Sequence, residues 1–288
     1  MRALQADAMV DAIINGGSLG DGGDGGRSEI PLDRPSVVDD GDYRRLYFGP
    51  EYIQSEMRLD DPVALQLAYT RRMLAALIWL PKPKHIVIAG LGGGSLTKFC
   101  HQHLPRTRIT SLEIDPRVIA LAPAFQVPVD DTRSRIIEAE AGAWFARTEE
   151  RFDLVLLDGY TEAGIASGFG SPQFYADIRE RLRPDGLLVA NILVGSDVLR
   201  RYKQVIAEAF DGRTIVQRVV PDGNNVIFAF KALPSSPDWG ALGREAKRLG
   251  SRLGLDFPAY VRAMRRAYER TPAEAEALAA RDVEVSLL

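Results

Sequence analysis

Residues 85–95 read His85-Ile86-Val87-Ile88-Ala89-Gly90-Leu91-Gly92-Gly93-Gly94-Ser95, an apolar, β-branched run that breaks into a glycine cluster. The run suits a buried strand, and the segment from Ser95 to His103 has the apolar spacing of a helix. Glycines are required at such a junction because side chains would keep a ligand off the backbone, while the helix that follows presents unpaired N–H groups. Glu113 ends the next apolar run, 23 positions after Gly90, where a carboxylate can accept hydrogen bonds from the hydroxyls of a ribose. A dinucleotide-binding loop would need a third glycine at position 95, where Ser95 stands, so the pattern points to a nucleoside other than a nicotinamide dinucleotide.

Working outward, apolar runs alternate with amphipathic segments. Strands are expected at 85–90, 108–113, 134–138, 152–158 and 186–191, and helices near 95–103, 116–124, 140–148, 172–182 and 197–210. Asp115 followed by Pro116 is the expected N-cap and first helical residue of the second of these helices. Short strands separated by helices predict a parallel sheet covered on both faces. The last two runs, 213–220 and 225–230, flank Pro221-Asp222-Gly223-Asn224 and should form an antiparallel hairpin. The expected fold class is therefore α/β. It is a Rossmann-like class I methyltransferase fold with a mostly parallel seven-stranded sheet ending in an antiparallel hairpin, the layout of transferases that use S-adenosylmethionine.

Four segments are expected. Residues 1–35, with Gly-Gly-Ser-Leu-Gly-Asp-Gly-Gly-Asp-Gly-Gly at 16–26, read as a flexible arm. Residues 36–80 read as a small β-rich subdomain with a connecting helix over 64–80. Residues 81–232 form the nucleoside-binding domain. Residues 233–288 form a helical C-terminal extension, with helices near 239–252, 258–269 and 272–281.

With 288 residues, 46% of them hydrophobic, the chain can bury a full core. A formal charge of −3 and a pI near 5.8 supply no bulk attraction for nucleic acid or an anionic membrane. One cysteine, Cys100, cannot form an internal disulfide, and three histidines make no cluster at metal-ligand spacing. No apolar run approaches the ~20 residues of a membrane span. The expectation is a cytoplasmic protein without a metal, a nucleic-acid partner or a membrane partner.

Ile53-Gln54-Ser55, Tyr69, the glycine loop, Glu113-Ile114-Asp115, the run from Phe152 to Asp158, and Phe174-Tyr175 together resemble the spermidine synthase (polyamine aminopropyltransferase) family over about residues 37–231. The resemblance implies a homodimer in which S-adenosylmethionine, or its decarboxylated form, donates a group to a small amine or other nucleophile. It implies donor contacts at Gln54, Gly90, Gly92, Gly93, Gly94, Glu113, Asp115, Gly142 and Ala143, and acceptor contacts at Tyr69, Tyr160, Thr161 and Glu162. Asp158, after the fourth strand of the domain, is then the catalytic group that deprotonates or orients the amine.

Four positions depart from the family pattern. The loop acid is replaced by Gly93, the second acid of the Asp-x-x-Asp segment by Thr161, the acid of the Gly-Asp-Ala segment by Gly142, and a glutamate after the tyrosine by Arg71. A charge-assisted hydrogen bond contributes ~1.5–3 kcal/mol, so losing two would weaken binding by ~10² to 10⁴ unless Glu162, Glu140 or Asp60 takes over. Arg71, if directed inward, would repel an ammonium group. The combined losses leave a second reading, a non-catalytic nucleoside-binding or scaffold protein. The small-residue segment 160–170 reads either as a lid or as a plain surface loop.

Overall fold

The computed structural model describes residues 35–48, 53–129, 131–161, 164–165, 167–192, 196–219 and 223–270. The arm before residue 35, Glu162 and the expected helix at 272–281 lie outside them.

The described chain opens with three antiparallel strands, β1 (Ser36–Asp40), β2 (Tyr43–Tyr47) and β3 (Ile53–Arg58), paired in that order. A connecting segment follows. The expected long helix over 64–80 is instead a short helix, α1 (Ala68–Met73), continued by a 3-10 turn over Leu74–Ile78. Arg71 accounts for the late start, because its guanidinium donates to the carbonyls of Leu65 and Gln66 and holds that stretch in a loop. Pro81 and Pro83 close the far end.

The seven-stranded sheet takes its strands as β4 (His85–Ala89), β5 (Arg108–Glu113), β6 (Ser134–Glu138), β7 (Phe152–Leu157), β10 (Leu182–Ile192), β11 (Thr214–Val219) and β12 (Asn224–Phe230). Its order is β11-β12-β10-β7-β4-β5-β6. Pairing is parallel from β10 through β6, whereas β12 lies antiparallel between β10 and β11. The hairpin expected at the end of the sheet is thus present, with its second strand inserted next to β10. Between β7 and β10, two-residue strands β8 (Tyr160–Thr161) and β9 (Gly164–Ile165) pair antiparallel, followed by a 3-10 turn at Ser167–Gly170.

Helices cover both faces. One face packs against α2 (Ser95–His103), the 74–78 turn and the C-terminal helices α7 (Trp239–Leu253) and α8 (Phe257–Tyr268) in one apolar cluster. Ala246, Leu249, Phe257 and Met264 are fully buried there, so these helices supply core to the sheet over its hairpin edge. The other face carries α4 (Ala141–Arg147), α5 (Pro172–Arg181) and α6 (Ser196–Ala209). Helix α3 (Pro116–Ala120) is shorter than the expected 116–124 because Pro123 has no N–H to continue it. A third cluster joins Leu46 and Met57 of the N-terminal sheet to Leu91 of the glycine loop and to Phe125 and Val127. Among the described residues no helix is long and apolar enough to cross a membrane.

Candidate active site

Parallel strands end at one edge of a sheet, and in open α/β sheets ligands bind there. Glycine loop 90–94 and Asp158 lie side by side at that edge because β4 and β7 are hydrogen-bonded neighbours, with the Asp158 N–H donating to the Ala89 carbonyl at 2.8 Å. Gly90 has φ +98°, and a Cβ there would strike the Asp158 carbonyl oxygen. Only glycine lets the two chains approach this closely.

Gly93 is excluded from carrying a side chain for a different reason. Its backbone is not left-handed, but a Cβ would lie 2.8 Å from the Ser55 Cβ and 2.9 Å from the Phe125 ring. Its N–H donates to the Ser55 Oγ at 2.9 Å. Ser55 on β3 and Phe125 after α3 therefore fill the volume that a loop acid would need. Absence of the acid is built into the packing.

Glu113 accepts from three backbone amides, those of Leu91 at 2.9 Å, Ile114 at 2.9 Å and Asp115 at 3.0 Å. It ties the glycine loop to the end of β5. A carboxylate offers about four acceptor positions, which leaves one on Oε2 for a ligand hydroxyl where the sequence suggested a ribose pair. Asp115 caps α3 as expected, accepting from the Arg117 N–H at 2.8 Å, and its hydrogen-bonded pairing with the Arg117 side chain holds its carboxyl below the usual range. Gly142 and Ala143 donate their N–H groups to Glu140, the N-cap of α4. Glu140 is thereby committed to the helix. Asp60 is paired with Arg58, and Arg71 with the 65–66 carbonyls, so neither the replacement acid Asp60 nor the feared cation Arg71 is free for an amine.

Asp158 is held by two side-chain hydrogen bonds. Tyr69 Oη donates to its Oδ2 at 3.1 Å and Asn191 Nδ2 to its Oδ1 at 2.9 Å. Burial pushes its pKa up from the ordinary carboxyl value, and these two hydrogen bonds pull it back. A small open cleft brings Asp158 and Tyr69 together with Gly90, Leu91 and Ser95. Ser55, Leu67, Thr70 and Leu96 complete its wall.

Gln54 is half-buried and does not line this cleft; strand alternation puts its neighbour Ser55 there instead. The backbones of Tyr160 and Thr161 form β8 immediately after Asp158. Gly92 and Gly94 adopt left-handed φ of +50° and +67° within the loop. Asn191 carries no pattern in the sequence, and Ser55 and Ser95 are visible there only as part of the family motif and as the break in the dinucleotide pattern, not as cleft residues. Cys100 is buried and its thiol pushed up to about 12, which makes it inert packing. No group of three or more acidic, histidine or cysteine side chains suited to a metal occurs among the described residues.

Sheet order, glycine loop and strand-end carboxylate define a class, the Rossmann-like transferases with the methyltransferase arrangement of strands. Residues 68–231 match the family model described as the spermine/spermidine synthase domain. The chain belongs to that family. A polyamine aminopropyltransferase of Chromobacterium violaceum is 34% identical over 236 residues, covering 82% of this chain and 90% of the relative. Among solved structures, a probable spermidine synthase from Corynebacterium glutamicum aligns with TM-score 0.63 and 21% identity, covering 75% of this chain and 84% of that one. A spermidine synthase in complex with the transition-state analogue AdoDATO aligns with TM-score 0.61 and 18% identity, covering 88% and 89%. At such identities the structural likenesses speak for the fold.

Proposed function

We propose that the protein transfers an aminopropyl group from decarboxylated S-adenosylmethionine to a small amine, with Asp158 as the base. The observation that carries this reading is the placement of Asp158, hydrogen-bonded by Tyr69 and Asn191, in the same cleft as the glycine loop. Relatives named as polyamine aminopropyltransferases, and a neighbour that binds an analogue of this kind of transition state, support the donor and an amine acceptor.

In the reaction, the amine lone pair attacks the aminopropyl carbon bound to the sulfonium. That C–S bond breaks with its electron pair going to sulfur, leaving neutral methylthioadenosine. The nitrogen gives up a proton to the Asp158 carboxylate. A sulfonium is already a good leaving group, so the chain's task is alignment and an unprotonated nucleophile. The glycine loop and Glu113 hold the nucleoside, Ser55 takes the place of the loop acid beside the donor, and Tyr69 orients Asp158. A raised Asp158 pKa makes the carboxylate a better proton acceptor than an exposed aspartate. The non-catalytic reading is disfavoured, because its motivation at Gly93 has a packing explanation and the Asp158 constellation is intact.

Two further elements of the reading are a cytoplasmic location and a homodimer, the latter checked by sedimentation at two concentrations. The central test is methylthioadenosine release from decarboxylated S-adenosylmethionine, with S-adenosylmethionine as the competing donor, across mono- and diamines. Asp158→Asn is expected to lower kcat by about 10² to 10⁴ while donor binding persists. Failure of both donors and of methylthioadenosine to bind at millimolar concentration would overturn the proposal.

A further inference from the structure

Asp158 does not end its own hydrogen-bond network. Asn191 Oδ1, the far side of the amide that donates to Asp158, accepts from Asn224 Nδ2 at 2.7 Å. Asn191 and Asn224 are exposed by only 4% and 3%, which makes them deeply buried polar side chains on strands whose other buried residues are mainly Val, Leu, Ile, Ala and Phe. Buried amides in such surroundings are costly unless their partners are fixed.

The topology explains how three residues so far apart in sequence meet. Asp158 follows β7 and Asn191 lies near the end of β10, at the same edge because the strands are parallel. Asn224 opens β12, which runs the other way, so its first residue lies beside the last residues of β10. Without the reversed strand, Asn224 would sit at the opposite edge of the sheet.

An amide has two ends, one that donates and one that accepts, and either can face a carboxylate if the group rotates. Only the Nδ2 end of Asn191 stabilises ionised Asp158. Asn224 settles the choice, because its own Nδ2 demands the Oδ1 end. We infer that Asn224 is a positioning residue for the transfer reaction, locking the Asn191 amide so that Asp158 is held as an oriented carboxylate facing the cleft. Tyr69 on α1 is the titratable side chain that faces Asp158 among the described residues. Ala89 of β4, Gly90 of the glycine loop, Asn191 of β10, and Phe169 of the 167–170 turn, which packs on Gly159, present no charge to it. Arg71 and Arg72 of α1 are directed to the 65–66 carbonyls and to Gln217.

The kinetic consequence rests on Asp158 being the base, but the electrostatic one does not, so two readouts separate them. Asn224→Asp keeps the size of the side chain and converts its donor into an acceptor, which should draw the Asn191 Nδ2 away and turn Oδ1 toward Asp158. Carboxyl ¹³C titration of aspartate-labelled protein, with the Asp158 signal assigned through Asp158→Asn, is expected to show the Asp158 pKa raised by about one unit or more. The acid limb of kcat/KM should move up by the same amount, with methylthioadenosine affinity unchanged. Asn224→Ala, which removes only the Asn224 donor, should show a smaller shift of the same sign and serves if the first variant does not fold. An unmoved Asp158 titration in a folded variant overturns the inference. A moved titration without any transferase activity in the wild type keeps the orienting of the Asn191 amide by Asn224 but overturns the aminopropyl reading and, with it, the positioning role in transfer.

Discussion

Restoring the family's acid by Gly93→Asp should damage the protein, and the structure says by how much. Carbon atoms pack comfortably at about 3.5–4.0 Å, whereas a Cβ on Gly93 would lie 2.8 Å from the Ser55 Cβ and 2.9 Å from a ring carbon of Phe125. Neither neighbour can yield easily. Phe125 is fully buried and Ser55 is 8% exposed, on a strand paired with β2. Overpacking of this kind costs about 1–3 kcal/mol, and a carboxylate placed there adds the cost of desolvation. Since 1 kcal/mol moves the melting temperature by about 2–4 °C in a domain approaching this size, Gly93→Ala should melt about 2–12 °C below the wild type, and Gly93→Asp lower still. Differential scanning calorimetry supplies the numbers. Phe125→Leu, combined with Gly93→Ala, should give a double mutant less destabilised than the sum by about 1 kcal/mol, because the two positions compete for one volume. A Gly93→Asp protein that melts with the wild type would refute the argument, and with it the claim that the missing acid is a matter of packing.

Two other consequences concern buried charge. Asp158 has a folded pKa above its unfolded value, so its contribution to stability is fully present at acid pH and is lost as pH rises through the folded pKa. Asp158→Asn should therefore leave the protein at least as stable as the wild type at neutral pH, the advantage vanishing below the ordinary carboxyl pKa of 3.8, as thermal melts at a series of pH values would show. Lys98 on α2 is 3% exposed, with its ammonium donating to the Phe125 carbonyl at 2.8 Å, and burial lowers its pKa from 10.5 to about 8. At 1.36 kcal/mol per pH unit this is a cost of about 3 kcal/mol, borne in full below pH 8 and relieved between 8 and 10.5, so wild-type stability should climb over that window. Lys98→Met should flatten the climb in pH-dependent denaturant melts, and an unchanged slope would contradict the assignment.

The strands and helices of the sheet domain were legible because each has an unmixed signal. Apolar β-branched runs such as 85–89 and 152–157 have no competing reading, and Asp115-Pro116 announces a helix start through its own chemistry. The differences fall where a side chain takes a backbone group or a space that periodicity alone does not register. Apolar spacing over 64–80 suggested one long helix, but Arg71 captures the carbonyls of 65 and 66 from within it. At the site, Gly90, Glu113 and Asp158 were visible from strand ends, whereas the cleft wall contributed by Ser55 comes from a strand of a different sheet. Glu140 offered itself as a substitute acid on charge alone, and the structure commits it to capping α4.

What the sequence by itself determined is therefore the fold class, the nucleotide-type loop and the position of one strand-end carboxylate beside it. Periodicity, glycine placement and strand-end acids are local properties, and local physics is enough to read them. What only the tertiary structure decided is the meaning of the departures from the family pattern. Gly93 is a glycine because Ser55 and Phe125, 38 and 32 residues away, occupy the space beside it. Asp158 is hydrogen-bonded into an Asn191–Asn224 pair because a strand running backwards brings Asn224 to Asn191. Both are consequences of close packing between segments remote in sequence, where excluded volume and hydrogen-bond polarity are set by the neighbour across the fold.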